Sequence, residues 1–600
     1  MSDRAIVICA IAGWVGAMRA TPIALPIVAL AVVGLIFIVR QRLPPTAIAA
    51  AVAVVVALVA SALASRAWVE VQTVEPGRWS GIASLANDPQ PERGGVRVDL
   101  VVDGQRVQAR AWGSPAGQLR ARLLGERIEV TGTVRRIESA SPWFASRGVS
   151  GTMTIDRTGP WSTGKPHYRL ANALRRTIET GAASLDRSQR SLLTGFVYGD
   201  DRFQGALTAD AFRAAGLTHL LAVSGQNVAF VLIICGPLLR RVGFRGRFLI
   251  TLVALLVFAT LTRFEPSVMR ASLMAAVASL ATVLGRSASS TRILALAVTV
   301  LVLVDPLIVH ALAFQLSVAA SVGILIIAPA LVPLIPGPRV FREAVAVTSG
   351  AQLAVAPLLV TIFGGVPVAS LPANIVAGPA AGPIMMWGLT AGAVAGVVVG
   401  PVPAVAWLIH LPTRLLIGWV QHISEIAAVM PLGQLRLMHL IALGIAISVR
   451  YGARDPTTRR LSAAAILIVL FIPALQLQFA PPRSFVVDDQ TTVWRDDRFT
   501  IMHLDPASDV EDLLEAFRDH GVRRLDLVVT PGTRASFSQL VVIEERLAIG
   551  TIWAPKDHRV PGAETPVAGT SVRLGRTTLV VIDDAAGFRL QNAVVGTDGS

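Results

Sequence analysis

Arg270 lies a few residues inside an apolar run that opens at Pro266, where an unpaired cation costs on the order of several kcal/mol. Other hydrophilic side chains interrupt similar runs: His219, Ser224, Gly225 and Asn227 near the start of one, Gln315 and Ser317 in a second, Gln352 in a third and Asn374 in a stretch rich in Pro and Gly. Such residues in a water-poor medium have two uses. They can line a path for a charged or polar cargo, or they can tie helices together by hydrogen bonds. Both uses fit the Ser224–Asn227 cluster and the glutamines. Arg270 adds the means to meet a phosphate, unless it snorkels outward.

Hydrolytic chemistry finds less support. His219 and Ser224 are five residues apart and are not neighbours on an ideal helix face, which counts against a nucleophile–base pair. No GxxxxGK[ST] loop is present, so the chain does not hydrolyse ATP by that route. His503, His520 and His558 are scattered, without ligand spacing. The two cysteines, Cys9 and Cys235, both fall in apolar segments, so neither a disulfide framework nor a cysteine metal site is expected. The reading assigns no catalytic residue, metal or cofactor.

The elements that must hold these residues are helices in a membrane. Of 600 residues 53% are hydrophobic and 16% charged, with mean hydropathy +0.61. The missing charge is concentrated in long apolar runs. Three open the chain, at 5–18, 21–39 and 46–65, and the first is read as a membrane helix rather than a cleaved signal. Ten more follow between about 217 and 480, for about thirteen spans. Within them the six prolines of 365–403 predict broken or re-entrant helices.

Residues 66–165 are different. Val96, Val98, Leu100 and Val102 alternate up to Asp103-Gly104, and Val107, Ala109 and Ala111 alternate beyond it, which reads as a β-hairpin. Further strands are expected at 128–134 and 151–155, and a small β-barrel is the economical reading. Trp112 and Trp143, with Trp68, Trp79 and Phe144, could stack bases, fill a barrel core or form an interfacial belt. Residues 166–215 are too polar to span. Leu170, Leu174 and Ile178 give a narrow stripe suited to the membrane interface or to the barrel surface. The last 120 residues are soluble in character and carry 13 Lys/Arg against 18 Asp/Glu, although the whole chain is +15.

The arginines orient the chain. Arg240, Arg241, Arg245 and Arg247 sit in one loop, Arg286 and Arg292 two spans later, Arg339 and Arg342 two spans after that, and Arg450, Arg454, Arg459 and Arg460 before the last span. The positive-inside rule makes these loops cytoplasmic and puts residues 66–165 and 481–600 outside.

The segment Leu192–Phe230 resembles the signature of the ComEC competence family, in which a Gly-Asp loop and an amphipathic helix precede a "GLSHLLAISG.H" stretch. The matching positions are Gly199-Asp200, Gly216, His219, Leu220, Ser224 and Gly225, with Gln226-Asn227 where many members have Leu-His. Pro266, Arg270 and Ala271, then Asp305-Pro306, Phe314-Gln315-Leu316-Ser317, Gln352, Pro357, Pro372 and Asn374 continue the likeness.

The resemblance implies N-terminal membrane helices (1–65), an extracytoplasmic OB-like β domain (66–165), amphipathic helices (166–215), a transmembrane competence domain (216–480) and an extracytoplasmic C-terminal α/β domain (481–600). It implies a channel carrying single-stranded DNA across the cytoplasmic membrane during natural transformation. The implied partners are DNA, membrane lipid, a DNA receptor outside and a helicase-type ATPase inside; a homo-oligomer stays open. The family's C-terminal module resembles a metallo-β-lactamase with an HxHxDH-type metal loop. Here the strand Leu525–Thr530 is followed by Pro531-Gly532-Thr533-Arg534-Ala535-Ser536, so the metal ligands are missing and nuclease activity is not expected. Two other readings stay open: a transporter of another polymer or solute on the same fold, and a membrane-associated hydrolase.

Overall fold

The computed structural model describes residues 2–40, 44–71, 74–92, 94–137, 141–479, 484–488, 491–496, 499–556, 559–567, 569–574, 577–584 and 587–593. His558 lies outside them. The chain forms two compact units, Met1–Phe203, His219–Val355 and Gly378–Gly418 in the first and Gln204–Thr218, Ala356–Ala377 and Trp419–Ser600 in the second.

The chain is a polytopic α-helical membrane protein. Among the described residues, seven helices are long and apolar enough to cross a bilayer: Pro45–Glu70, Phe244–Leu261, Pro266–Val283, Leu312–Leu334, Arg339–Phe363, Ser370–Val398 and Pro456–Phe479. The pair Pro403–Ile409 and Leu411–Val429, bent by 45°, makes an eighth if taken as one span. Thirteen full-length spans are not found among the described residues. Four further apolar helices (Pro26–Ile38, Gly225–Ile234, Ser290–Val304, Leu437–Gly452) are only 10–17 residues long, and 15 residues rise about 22 Å against about 30 Å of hydrocarbon.

Two segments differ from expectation in opposite ways. The run 217–239 is not one helix but three pieces, Thr218–Leu221, Gly225–Ile234 and Gly236–Leu239, because Ser224-Gly225 and Gly236-Pro237 interrupt it. The Pro/Gly-rich region 365–403, expected to be broken, holds one continuous helix, Ser370–Val398, with Pro379 and Pro383 inside it. Closely packed neighbours let a membrane helix keep its axis where a proline removes a backbone bond.

In the first unit, helix Asp3–Arg19 packs against Pro45–Glu70 so tightly that a Cβ at Gly16 would lie 2.2 Å from the Ala57 carbonyl oxygen. Asp3 pairs with Arg292 at 2.6 Å. The β domain has strands β1 (Gly77–Leu85), β2 (Gln90–Glu92), β3 (Gly95–Val102), β4 (Gln105–Trp112), β5 (Arg127–Arg136) and β6 (Val149–Ser162). The hairpin turn between β3 and β4 is where Asp103-Gly104 puts it, with φ of 49° and 83°. Sheet neighbours run β1-β5-β6-β4-β3, and β3 pairs back to β1 at Ser84–Val101 and Leu85–Leu100. Only β4–β6 is parallel within this circuit. Inward residues of β1 and β3–β6, among them Val98, Leu100, Val107, Ala109, Val130 and Ile155, form one core with Leu119 of helix Gly113–Arg120.

The amphipathic helix Pro166–Gly181 packs on the β domain at one end, one of the two positions its stripe suits. Asn172 Nδ2 donates to the Leu124 carbonyl oxygen at 3.1 Å on the β domain. The helix's other end meets Ser370–Val398, where a Cβ at Gly396 would lie 1.9 Å from the Thr177 carbonyl oxygen.

In the second unit, β7 (Val366–Pro367) pairs with β8 (Gln434–Leu435). The C-terminal α/β domain has a five-stranded sheet of β9 (Phe485–Val486), β10 (Thr492–Arg495), β11 (Thr500–His503), β12 (Arg524–Val529) and β13 (Ala548–Trp553), ordered β13-β12-β11-β10-β9, with β11, β12 and β13 parallel. Helices Val510–Asp519 and Arg534–Glu544 cover it through Leu513, Phe517, Leu540 and Ile543. The strands β14 (Ser571–Leu574), β15 (Thr577–Asp584) and β16 (Gly587–Ala593) form an antiparallel sheet. Helix Ala206–Ala214 is tied to the α/β domain by buried Asp210, which pairs with Arg518 and, at 3.0 Å, with Arg546. Arg213 adds pairs to Glu511 at 2.8 Å and Glu515 at 3.2 Å.

Candidate functional site

The break before Gly225–Ile234 is the centre of the site. Ser224 is extended (φ −107°, ψ 169°) and occupies the N-cap position without its side chain capping the helix. Its hydroxyl instead donates to Asn227 Oδ1 at 3.4 Å, and Asn227 Nδ2 donates to the Phe196 carbonyl oxygen, also at 3.4 Å. The first turn of helix Pro266–Val283 lies against the break. Ser267 Oγ donates to the Val223 carbonyl oxygen at 2.5 Å.

One turn further along that helix stands Arg270, 7% exposed. Its Nε donates to Ser317 Oγ at 2.8 Å, and Nη1 lies 3.0 Å from Met274 Sδ. Nη2 faces Gly225, where a Cβ would stand only 2.7 Å away. Among the described residues no carboxylate pairs with this guanidinium.

Of the residues singled out in the sequence, Ser224, Gly225, Asn227, Arg270 and Ser317 are therefore brought together. Gln315, on the same helix as Ser317, turns elsewhere and donates to the Val309 carbonyl oxygen at 2.8 Å. His219 is exposed on the short helix Thr218–Leu221, and Gln352 is half-buried within Arg339–Phe363. Asn374 belongs to the second unit and to a continuous helix rather than a broken one. Its Nδ2 donates to the Ser370 carbonyl oxygen at 2.8 Å and reaches the Gly216 carbonyl oxygen at 3.5 Å. Gly216 there has φ 62°, a conformation that favours glycine.

A second polar cluster escaped the sequence reading. Arg175 is 1% exposed and donates through Nη2 to Asp200 Oδ2 at 2.7 Å, while Nη1 sits 3.0 Å from Asp88 Oδ2. Arg202 holds both oxygens of Asp200 at 2.7 and 2.5 Å, and Arg263 holds both oxygens of Asp88 at 2.9 Å. The Arg175 guanidinium lies 4.2 Å from the centre of the Tyr198 ring, and Tyr198 donates to Glu179 at 3.2 Å.

Burial pushes the Asp88 carboxyl up, but Arg175, Arg263 and Arg202 outweigh it and hold the group below the usual carboxylate range. Asp200 behaves alike, burial being outweighed by Arg202 and Arg175. Burial, reinforced by the charge of Asp200, holds Glu179 above its usual range. The cluster joins the β domain (Asp88), helix Pro166–Gly181 (Arg175), the Gly-Asp loop (Asp200, Arg202) and the loop before Pro266 (Arg263). Asp200 lay in the quoted signature. Arg175 adjoins the stripe of Leu170, Leu174 and Ile178 and gave no separate signal.

On the β domain, Trp112 and Trp143 are exposed, 49% and 46%. The Arg147 and Arg97 guanidinium groups lie 4.4 and 5.8 Å from the centre of the Trp143 ring. Trp161, not singled out before, is 47% exposed and carries Arg122 at 3.9 Å.

In the C-terminal domain, Arg524–Val529 is a strand, and the loop after it leads into helix Arg534–Glu544, N-capped by Thr533. His520 stacks on Phe485 at 3.8 Å, and His503 ends β11. No curated protein and no solved structure matches the chain. Residues 196–453 match the family model for the competence protein. That match spans the Gly-Asp loop, the break at Ser224-Gly225, Arg270, Ser317 and Asn374, and over this segment the chain is similar to the competence protein family.

Proposed function

We propose that the protein passes single-stranded DNA across the cytoplasmic membrane in natural transformation, with the strand running beside the helix break at Ser224-Gly225. The observation that carries this is Arg270: a buried cation among apolar helices, with no carboxylate partner among the described residues, turned toward half-buried Gly225. Cations in that setting are costly and mark ion or substrate paths. A polyanion moving past would supply the missing charge one phosphate at a time.

The circuit β1-β5-β6-β4-β3-β1, with β4 and β6 parallel and a helix between β4 and β5, supports reading the β domain as an OB-like barrel. Exposed Trp143 between two guanidinium groups suits base stacking beside a phosphate backbone. The Arg263–Asp88 pair supports a common side for the β domain and the loop before Pro266, which the charge pattern puts outside. A DNA receptor outside and an ATP-driven helicase inside complete the reading, and the C-terminal domain acts without metal chemistry.

The test is uptake of labelled DNA into the cytoplasm of a transformable host whose own copy is replaced by this chain. Wild type restores internalisation. Arg270→Gln, present in the membrane at equal amount, lowers it at least tenfold. Unchanged uptake on deleting the chain, with another solute failing to enter instead, would favour a transporter of different cargo.

A further inference from the structure

Resting on that reading, we propose that the N-terminus of helix Gly225–Ile234 and the Arg270 guanidinium together form a discrete oxyanion site for a phosphate group. The first amides of a helix lack intrahelical acceptors and carry the positive end of its dipole. Here the Asn227 amide turns back to the Ser224 carbonyl oxygen at 3.1 Å. No side chain caps the terminus, because the Ser224 hydroxyl is given to Asn227. The amides of Gly225 and Gln226 are left for a ligand.

The second observation is independent of the helix. Arg270 is more than nine-tenths buried, is anchored by Ser317 through Nε, and turns Nη2 toward Gly225. Among the described residues Nη2 has no acceptor and the guanidinium has no counter-charge. Two neighbouring donor sets of one sign, with no carboxylate at the guanidinium among the described residues, fit a phosphate oxyanion.

Gly225 is what lets the guanidinium lie against the helix terminus. A Cβ at this position would crowd Nη2 at 2.7 Å and the Ala271 Cβ at 3.2 Å. Gln226 is exposed and Ser224 and Gly225 are half-buried, so the terminus can be reached, while Asn227, Val228 and Val231 beyond it are buried.

The experiment uses the full chain purified in detergent. Inorganic phosphate, then a short oligothymidylate, are titrated against chloride at constant ionic strength, with thermal stability and calorimetry as readouts. Phosphate and the oligonucleotide are expected to compete and to stabilise the wild type. Arg270→Gln lowers phosphate affinity at least tenfold. Arg270→Lys, which keeps the charge without the fork, lowers it less, and Gly225→Ala lowers it with the guanidinium intact. Arg240→Gln, in a distant basic loop, binds as wild type.

Equal phosphate binding by wild type and both Arg270 variants overturns the site. So does stabilisation by phosphatidylglycerol nanodiscs but by neither phosphate nor oligonucleotide. Phosphate binding that vanishes in Arg270→Gln while DNA uptake fails in the wild type would overturn the channel reading and keep the site. Uptake without phosphate binding would do the reverse.

Discussion

Asp200 accepts hydrogen bonds from two guanidinium groups and Asp88 faces three, all in nearly dry surroundings. Removing one partner of a buried pair costs about 3–5 kcal/mol, because the other charge is left without compensation. Asp200→Asn should therefore loosen the junction between the β domain and helix Pro166–Gly181. Hydrogen exchange is the suitable readout: amides of Pro166–Gly181 lose protection in the variant while those of the distant pair Asp3–Arg19 and Pro45–Glu70 keep theirs. The pH dependence has a definite sign. Both carboxyls sit below their unfolded value of about 3.9, so the stability they contribute is complete above that value and is lost as pH falls through the lower folded values. Through these two carboxyls wild-type protection does not change from pH 5 to 8 and falls only below about pH 4, whereas Glu179, held above its usual range by burial, lowers it as pH rises through its folded value. Asp200→Asn has the weaker junction at neutral pH and a smaller acid loss. Equal protection in both proteins at pH 7 would make the cluster incidental. None of this was legible from sequence beyond the Gly-Asp signature, because Asp88, Arg175 and Arg263 are far apart in the chain and meet only through the fold. The polar residues around Arg270 were legible: in apolar surroundings each hydrophilic side chain must have a use, so type alone marks it.

Helix Ser370–Val398 carries glycines at 388, 392 and 396, one face of a helix at every fourth residue. That face receives two amphipathic helices. A Cβ at Gly388 would meet Val197 and Leu193 at 2.5 and 2.7 Å, and one at Gly396 would meet the Thr177 carbonyl oxygen at 1.9 Å. Backbone cannot move aside as a side-chain tip can, so Gly396→Ala should cost about 1–3 kcal/mol through overpacking. Gly378, on the same helix, has nothing within 4 Å of its Cβ position. Gly378→Ala there should stabilise by up to about 1 kcal/mol from helix propensity. Opposite shifts in melting temperature of the detergent-solubilised variants test this, and a pair of like-signed shifts would refute the packing account. The same glycines and prolines explain why this helix was misread as broken. Their local preference is against a helix, and the partners that override it come from residues two hundred positions earlier. The segment 217–239 was misread the other way, since Ser224-Gly225 is a weak local signal inside a strongly apolar run. The β-hairpin was legible because alternation and an Asp-Gly turn are local.

Several contacts bear on how the whole chain threads the membrane, and each can be set against the arginine pattern. In the first unit, Asp3 pairs with Arg292 and Asp88 pairs with Arg263. The charge pattern assigns the first pair to the cytoplasm and the second to the outside, so neither pair joins segments expected on opposite faces. In the second unit, β7 joins β8, and Asp210 joins Arg518 and Arg546; again each contact joins segments expected on one face, here the outer one. A chain threaded with one span too many or too few would have put at least one such pair across about 30 Å of hydrocarbon. The arginine pattern expects the short helices to cross too, Ser290–Val304 among them, by local thinning of the bilayer or by shelter within the bundle. Single cysteines at exposed positions test this in a background lacking Cys9 and Cys235. A membrane-impermeant thiol reagent on intact spheroplasts should label Arg78→Cys on β1 and Ser538→Cys on helix Arg534–Glu544. Ser287→Cys, in the loop before Arg292, should react only after permeabilisation. Reaction of Ser287→Cys alongside Arg78→Cys in intact cells would mean that helix Pro266–Val283 does not cross, and Arg270 would then have no membrane path to line. Protection of Ser538→Cys alone would reverse only the last spans and leave the Arg270 site where the first unit holds it.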